Sequence, residues 1–145
     1  MTALGSLVRV HTWALNEKRQ TLAGLEDLAN KMRADLEDLE ADIKNEQRAT
    51  AGSIEGTIAF PAFVAAALER RKKLRESIAK IGLAIESARE EVRAEFQEVK
   101  KYELARDNVA RRKQEEVAKR EQRELDELGV DMHRRKRMSG RDGNA

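Results

Sequence analysis

An apolar stripe that steps alternately by four and three residues constrains this chain more than any other feature. It runs Leu4, Val8, His11, Leu15, Lys18, Leu22, Leu25, Ala29, Met32, Leu36, Leu39 and Ile43. Alternating steps of four and three repeat every seven residues, which keeps a narrow seam turned toward one partner helix. Val8, Leu15, Leu22, Ala29, Leu36 and Ile43 take the a positions. Leu4, His11, Lys18, Leu25, Met32 and Leu39 take the d positions. Only His11 and Lys18 are polar. The spacing predicts one helix from about residue 3 to about 49.

Residues 50–61 interrupt the stripe. Gly52, Ser53, Gly56, Thr57 and Pro61 are turn and helix-start residues, with Thr57 read as the N-cap and Pro61 as a first-turn proline. A second stripe follows: Phe60, Val64, Ala67, Leu74, Ile78, Ile81, Ile85, Ala88, Val92, Val99 and Tyr102. Arg71 breaks it at an a position and Glu95 at a d position, while Phe96 sits one place aside. The expected helix runs from about 60 to about 128 and stops at Gly129. The turn then occupies about 50–59, residues 1–130 form one unit, and 131–145 are a disordered basic tail.

Composition supports helices over a globular core. Ala, Glu, Leu, Lys and Arg supply 83 of the 145 residues, whereas there are one Trp, one Tyr and three Phe. These are strong helix formers with few large anchors, which leaves little for a compact domain with a buried pocket. The longest uncharged apolar run, Ile58 to Leu68, is 11 residues, against the roughly 20 that a spanning helix needs. The N-terminus lacks a basic segment ahead of an apolar core, so no signal peptide is expected, and a cytoplasmic location is.

Charge placement suggests how the helices pair. Asp35, Glu37, Asp38, Glu40 and Asp42 have no base among them. Arg70, Arg71, Lys72, Lys73 and Arg75 have no acid among them. Folding the chain back near residue 55 pairs position i with roughly 110 − i and sets one block against the other. The expected fold is therefore all-α: two long helices in an antiparallel coiled-coil hairpin. Exposed ion pairs contribute only about 0.2–1 kcal/mol each, so they select orientation more than they stabilise. Beyond residue 106 the seam fails, with Arg106, Lys113 and Arg120 at a positions and Glu116 at a d position. Asp107 to Leu128 then overhang the hairpin by roughly 30 Å. Such a stretch is either a solvated single helix or an element that docks in another protein.

No catalytic constellation is visible. His11 and His133 lie far apart in sequence, His11 reads as a structural seam residue, and no P-loop, H-E-x-x-H or G-x-S-x-G pattern occurs. There are no cysteines, which excludes disulfides and thiolate chemistry. The carboxylates lie on exposed helical faces where nothing tunes them. Non-enzymatic function without metal or cofactor is the expectation. The tail from His133 to Ala145 carries five bases and one acid but no aromatic residue for stacking on bases, and nucleic acid is not expected as a partner.

Three stretches resemble a known family. Asn16-Glu17-Lys18-Arg19-Gln20 resembles its N-terminal Glu-Lys-Arg stretch. Phe60-Pro61-Ala62-Phe63, followed by Ala65-Ala66-Ala67 and Arg70-Arg71, resembles its aromatic-Pro entry to the second helix. Arg120-Glu121-Gln122-Arg123-Glu124-Leu125-Asp126-Glu127-Leu128-Gly129 resembles its C-terminal segment. The family is that of the flagellar export protein FliJ, in its alphaproteobacterial form, and the similarity spans about residues 6–130.

The resemblance implies a stalk-like antiparallel coiled coil in the type III export apparatus, held at the membrane only through partners. Those partners are the hexameric export ATPase, the cytoplasmic domain of the export gate and escort chaperones. It assigns Leu4, Leu7, Val8, Val117, Leu125 and Leu128 to the ATPase ring. Ile43, Phe60, Phe63 and Val64, at the closed end, are assigned to the gate, although Phe60 can equally cap the seam against Ile43. An injectisome stalk, a structural coiled coil that dimerises in parallel through the same heptads, and a nucleic-acid-associated protein using the basic tail are the competing readings.

Overall fold

The computed structural model describes residues 2–142, and within them two helices account for the secondary structure: α1, Ala3–Thr50, and α2, Ile54–Asp142. Thr2 caps α1, its Oγ1 accepting from the Gly5 N–H at 3.1 Å and its carbonyl accepting from the Ser6 N–H at 3.1 Å. The turn holds Gly52 at φ 97°, a left-handed conformation that glycine adopts without a Cβ penalty. Gly56 is needed for a different reason. A Cβ there would stand 2.7 Å from the Thr50 Cβ and 2.9 Å from its Cα.

Ser53, not Thr57, caps α2. Its Oγ accepts from the Gly56 N–H at 3.2 Å, and its carbonyl accepts from the Thr57 N–H at 3.0 Å. Arg48 in the last turn of α1 and Glu55 in the first turn of α2 complement the helix dipoles. The early start leaves Pro61 inside α2, where it gives up one backbone hydrogen bond. The far end differs too. α2 passes through Gly129 and continues to Asp142, where the sequence led us to expect a stop near 128 and a disordered tail; residues 143–145 of that tail lie outside the described residues. One helical glycine costs only about 1 kcal/mol. It ends a helix when it turns left-handed, and among the described residues Gly52 alone has a positive φ.

The chain divides into two compact units, Arg9–Val99 and Met1–Val8 with Lys100–Ala145. In the first, a short turn makes the two helical segments antiparallel neighbours. Leu15, Ala29, Leu39, Ala67, Ile85, Ala88 and Val99 are buried along the seam. Every other stripe position of this unit is at least half-buried, Arg71 included. The parallel-dimer reading would need this same seam, which the chain covers with its own second helix. A methyl added at Gly24 or Gly82 would meet nothing within 4 Å, and packing does not explain either glycine.

Cross-helix ion pairs follow the fold-back register within a few residues. Arg89 Nη2 lies 3.4 Å from Glu26 Oε1, and Arg75 Nη2 lies 3.2 Å from Glu40 Oε1. Of the two charge blocks only Glu40 and Arg75 meet directly, and both are well exposed. Arg75→Glu is therefore expected to cost no more than about 1 kcal/mol, with Glu40→Lys in the same molecule restoring part of it. Thermal melts of the wild type, both singles and the double variant check this; a double variant no more stable than Arg75→Glu would deny the pairing.

In the second unit Val8 is buried and Leu4 and Gly5 are half-buried on the α1 side. On the α2 side Tyr102, Glu103 and Ala105 are half-buried, and every side chain from Arg106 to Gly140 is exposed.

Candidate functional site

The polar interruptions of the two stripes form one cluster. Glu95, only 9% exposed, is the one buried charged residue of the described chain. Its carboxylate accepts a hydrogen bond from His11 Nδ1–H at 2.5 Å and another from Lys18 Nζ at 3.2 Å. An ionised carboxylate can only accept, so the contacting ring nitrogen carries the proton. The His11 hydrogen bond, helped by the Lys18 hydrogen bond and charge, holds the Glu95 carboxyl below its ordinary value against the opposing effect of burial. The cluster ties one helix to the other across the seam, the place where polar groups inside coiled coils are best attested as setting register.

The residues assigned to the gate all belong to the unit Arg9–Val99. Ile43, Phe60 and Val64 are half-buried on the seam, while Phe63 remains 38% exposed. Ile58, 76% exposed, adds apolar surface on the same helix. Phe63→Ala is accordingly expected to cost about 1 kcal/mol, well below the 3–5 of a fully buried Phe. Urea unfolding of the variant measures it, and a loss of 3 kcal/mol or more (about the buried-Phe figure) would place the ring in the core.

The residues assigned to the ATPase ring all belong to the other unit but differ in availability. Val8 is buried and Leu4 is half-buried. Leu7 is 37% exposed, and Val117, Leu125 and Leu128 are 50–62% exposed. Sequence reasoning passed over other exposed apolar residues. Val10 and Trp13 are 62% and 67% exposed on the outer face of α1, and Leu83 is 70% exposed on α2. The available signal was that each falls outside the a and d positions.

Among the described residues no group of three or more His, Asp or Glu is placed to hold a metal ion, and no helix is long and apolar enough to cross a membrane. Long helices, a heptad seam and exposed apolar surface on an otherwise charged helix define a coiled-coil protein. Comparison with known proteins narrows this: the family model described as Flagellar FliJ protein matches residues 1–138. The chain belongs to the FliJ family, a non-catalytic component of flagellar protein export. No curated protein and no solved structure matches it.

Proposed function

We propose that this protein is a non-enzymatic stalk of the flagellar type III export apparatus, working in the cytoplasm at its base. It binds the hexameric export ATPase through the exposed apolar side chains of α2 and the cytoplasmic domain of the export gate through the Phe63 end. Escort of chaperones is a further role the family resemblance implies. The observation that carries this reading is the coincidence of the FliJ match over residues 1–138 with a helix exposed on all sides from Arg106 to Gly140. Most helical stability in proteins comes from packing an apolar face, and exposed Leu and Val on this helix offer apolar area to a partner.

The test is direct binding. The purified full chain, titrated in separate calorimetric experiments with the export ATPase and with the gate's cytoplasmic domain, should bind each saturably. Failure to bind either partner sinks the stalk reading; binding to the gate alone removes its ATPase half.

A further inference from the structure

The last helical turns carry a charge that docking into a protein ring leaves unused. From Met132 to Gly140 the chain holds Arg134, Arg135, Lys136 and Arg137 and no acid, and all four side chains are exposed. The segment is helical, so the bases stand at fixed positions around an axis. At 3.6 residues per turn, Leu125, Leu128, Met132 and Ser139 share one narrow stripe. Leu125, Leu128 and Met132 are 57–62% exposed, while Val130 and Met138, also exposed, lie off the stripe. Arg135 and Lys136 flank the stripe on its two sides, and with Gly129, Met132, His133 and Ser139 they line one shallow groove along the helix. Asp126, Glu127 and Asp131 fall outside it.

We propose that residues 125–139 of α2 lie flat on an anionic phospholipid surface. Leu125, Leu128 and Met132 enter the boundary between headgroups and acyl chains. Arg135 and Lys136 lay their methylene stems beside them and keep their charges at the lipid phosphates, as flanking bases of interfacial helices do. Arg134 and Arg137 add long-range attraction to the negative surface. A nucleic acid would use the same bases but leave the three large apolar side chains wet, and the segment has no Phe, Tyr or Trp to stack on bases. Lipid uses both halves of the pattern. This contact is direct and goes beyond attachment through the export partners; because it uses Leu125 and Leu128, which the proposed ring contact also uses, membrane and ATPase compete for the segment.

Vesicle flotation with the full chain tests it. The protein should float with phosphatidylcholine/phosphatidylglycerol vesicles, stay behind with pure phosphatidylcholine, and be released by salt. Reversing Arg134, Arg135, Lys136 and Arg137 to Glu should weaken binding at least about a hundredfold. Leu128→Ser with Met132→Ser, which keeps every base, should weaken it at least about tenfold. Absence of binding to the anionic vesicles, or equal binding to both kinds, overturns the proposal. So does a Leu128→Ser/Met132→Ser protein that floats like the wild type, particularly if duplex DNA competes for it, because the segment then reads phosphate alone. The contrast between vesicle types is read on the unaltered chain, and circular dichroism confirms that the variants keep their helix.

Discussion

Glu95→Ala should destabilise the protein by about 1–3 kcal/mol, because it leaves two donors in the seam without their acceptor. His11 and Lys18 retain 26% and 37% side-chain exposure, so water compensates part of the loss and the lower half of that range is expected. Each kcal/mol should lower the melting temperature by about 3 °C. Replacing His11, Lys18 and Glu95 together by Leu should be neutral or stabilising, since a partly desolvated ionic cluster often gives way to apolar packing without cost. The triple variant should lose something else: without a polar layer, one axial setting is no longer preferred over its neighbours.

The same cluster has a pH signature. Folding holds the Glu95 carboxyl below its ordinary value of 4.5, so its contribution is fully present above that pH. It is lost as the pH falls through the lower folded value. Urea unfolding of wild type and Glu95→Gln across this range isolates the effect, because all other carboxylates titrate alike in both. The stability gap should be constant near neutrality and close below pH 4.5. A gap that persists in acid would mean that the charge of Glu95 is not what holds the cluster.

These three residues also show how far the sequence could be read. The heptad stripes were legible because a period of seven buries one narrow face: all twelve positions from Leu4 to Ile43 are buried or half-buried. His11, Lys18 and Glu95 stood out only as three separate flaws in that pattern. The fold-back register sets His11 near 99 and Lys18 near 92, with Glu95 between them, so their meeting was implicit. Periodicity within either helix alone does not show it, because the three residues come together only across the seam.

Boundaries were less legible, since Ser53 and Thr57 are equally good caps by composition, and only the Oγ contact to Gly56 separates them. The end of α2 was misplaced because Gly129 has the composition of a stop but stays helical. Docking residues were the least visible. Seam burial removed Val8 from the available surface, and a place outside the a and d positions, as at Trp13, marks exposure without marking a docking residue.

Removing residue 117 and everything beyond it should change stability hardly at all and binding greatly. The deleted side chains through Gly140 are exposed, and substitutions at such positions usually stay within about 0.5 kcal/mol. The melting temperature should therefore move by no more than about 2 °C. Affinity for the export ATPase should fall at least about a hundredfold, because Val117, Leu125 and Leu128 go together and each buried side chain of this kind contributes about 1.5–3 kcal/mol. Calorimetric titration and thermal denaturation of the same preparation separate the two effects. A truncated chain that unfolds would show that the stretch supports the fold. A stable one that binds the ATPase like the full chain would move the ring contact elsewhere.

Hydrogen exchange followed by mass spectrometry, with and without the export ATPase, addresses the division between structural seam and docking helix most directly. Amides of Arg9–Val99 should already be protected in the free protein, since the seam is covered there, whereas amides from Arg106 to Gly140 should exchange rapidly. Adding the ATPase should slow exchange in 106–140 and leave 9–99 nearly unchanged. Strong protection of 106–140 in the free protein, or slowing confined to 9–99 when the ATPase is added, would contradict the assignment of α2's exposed end as the docking element.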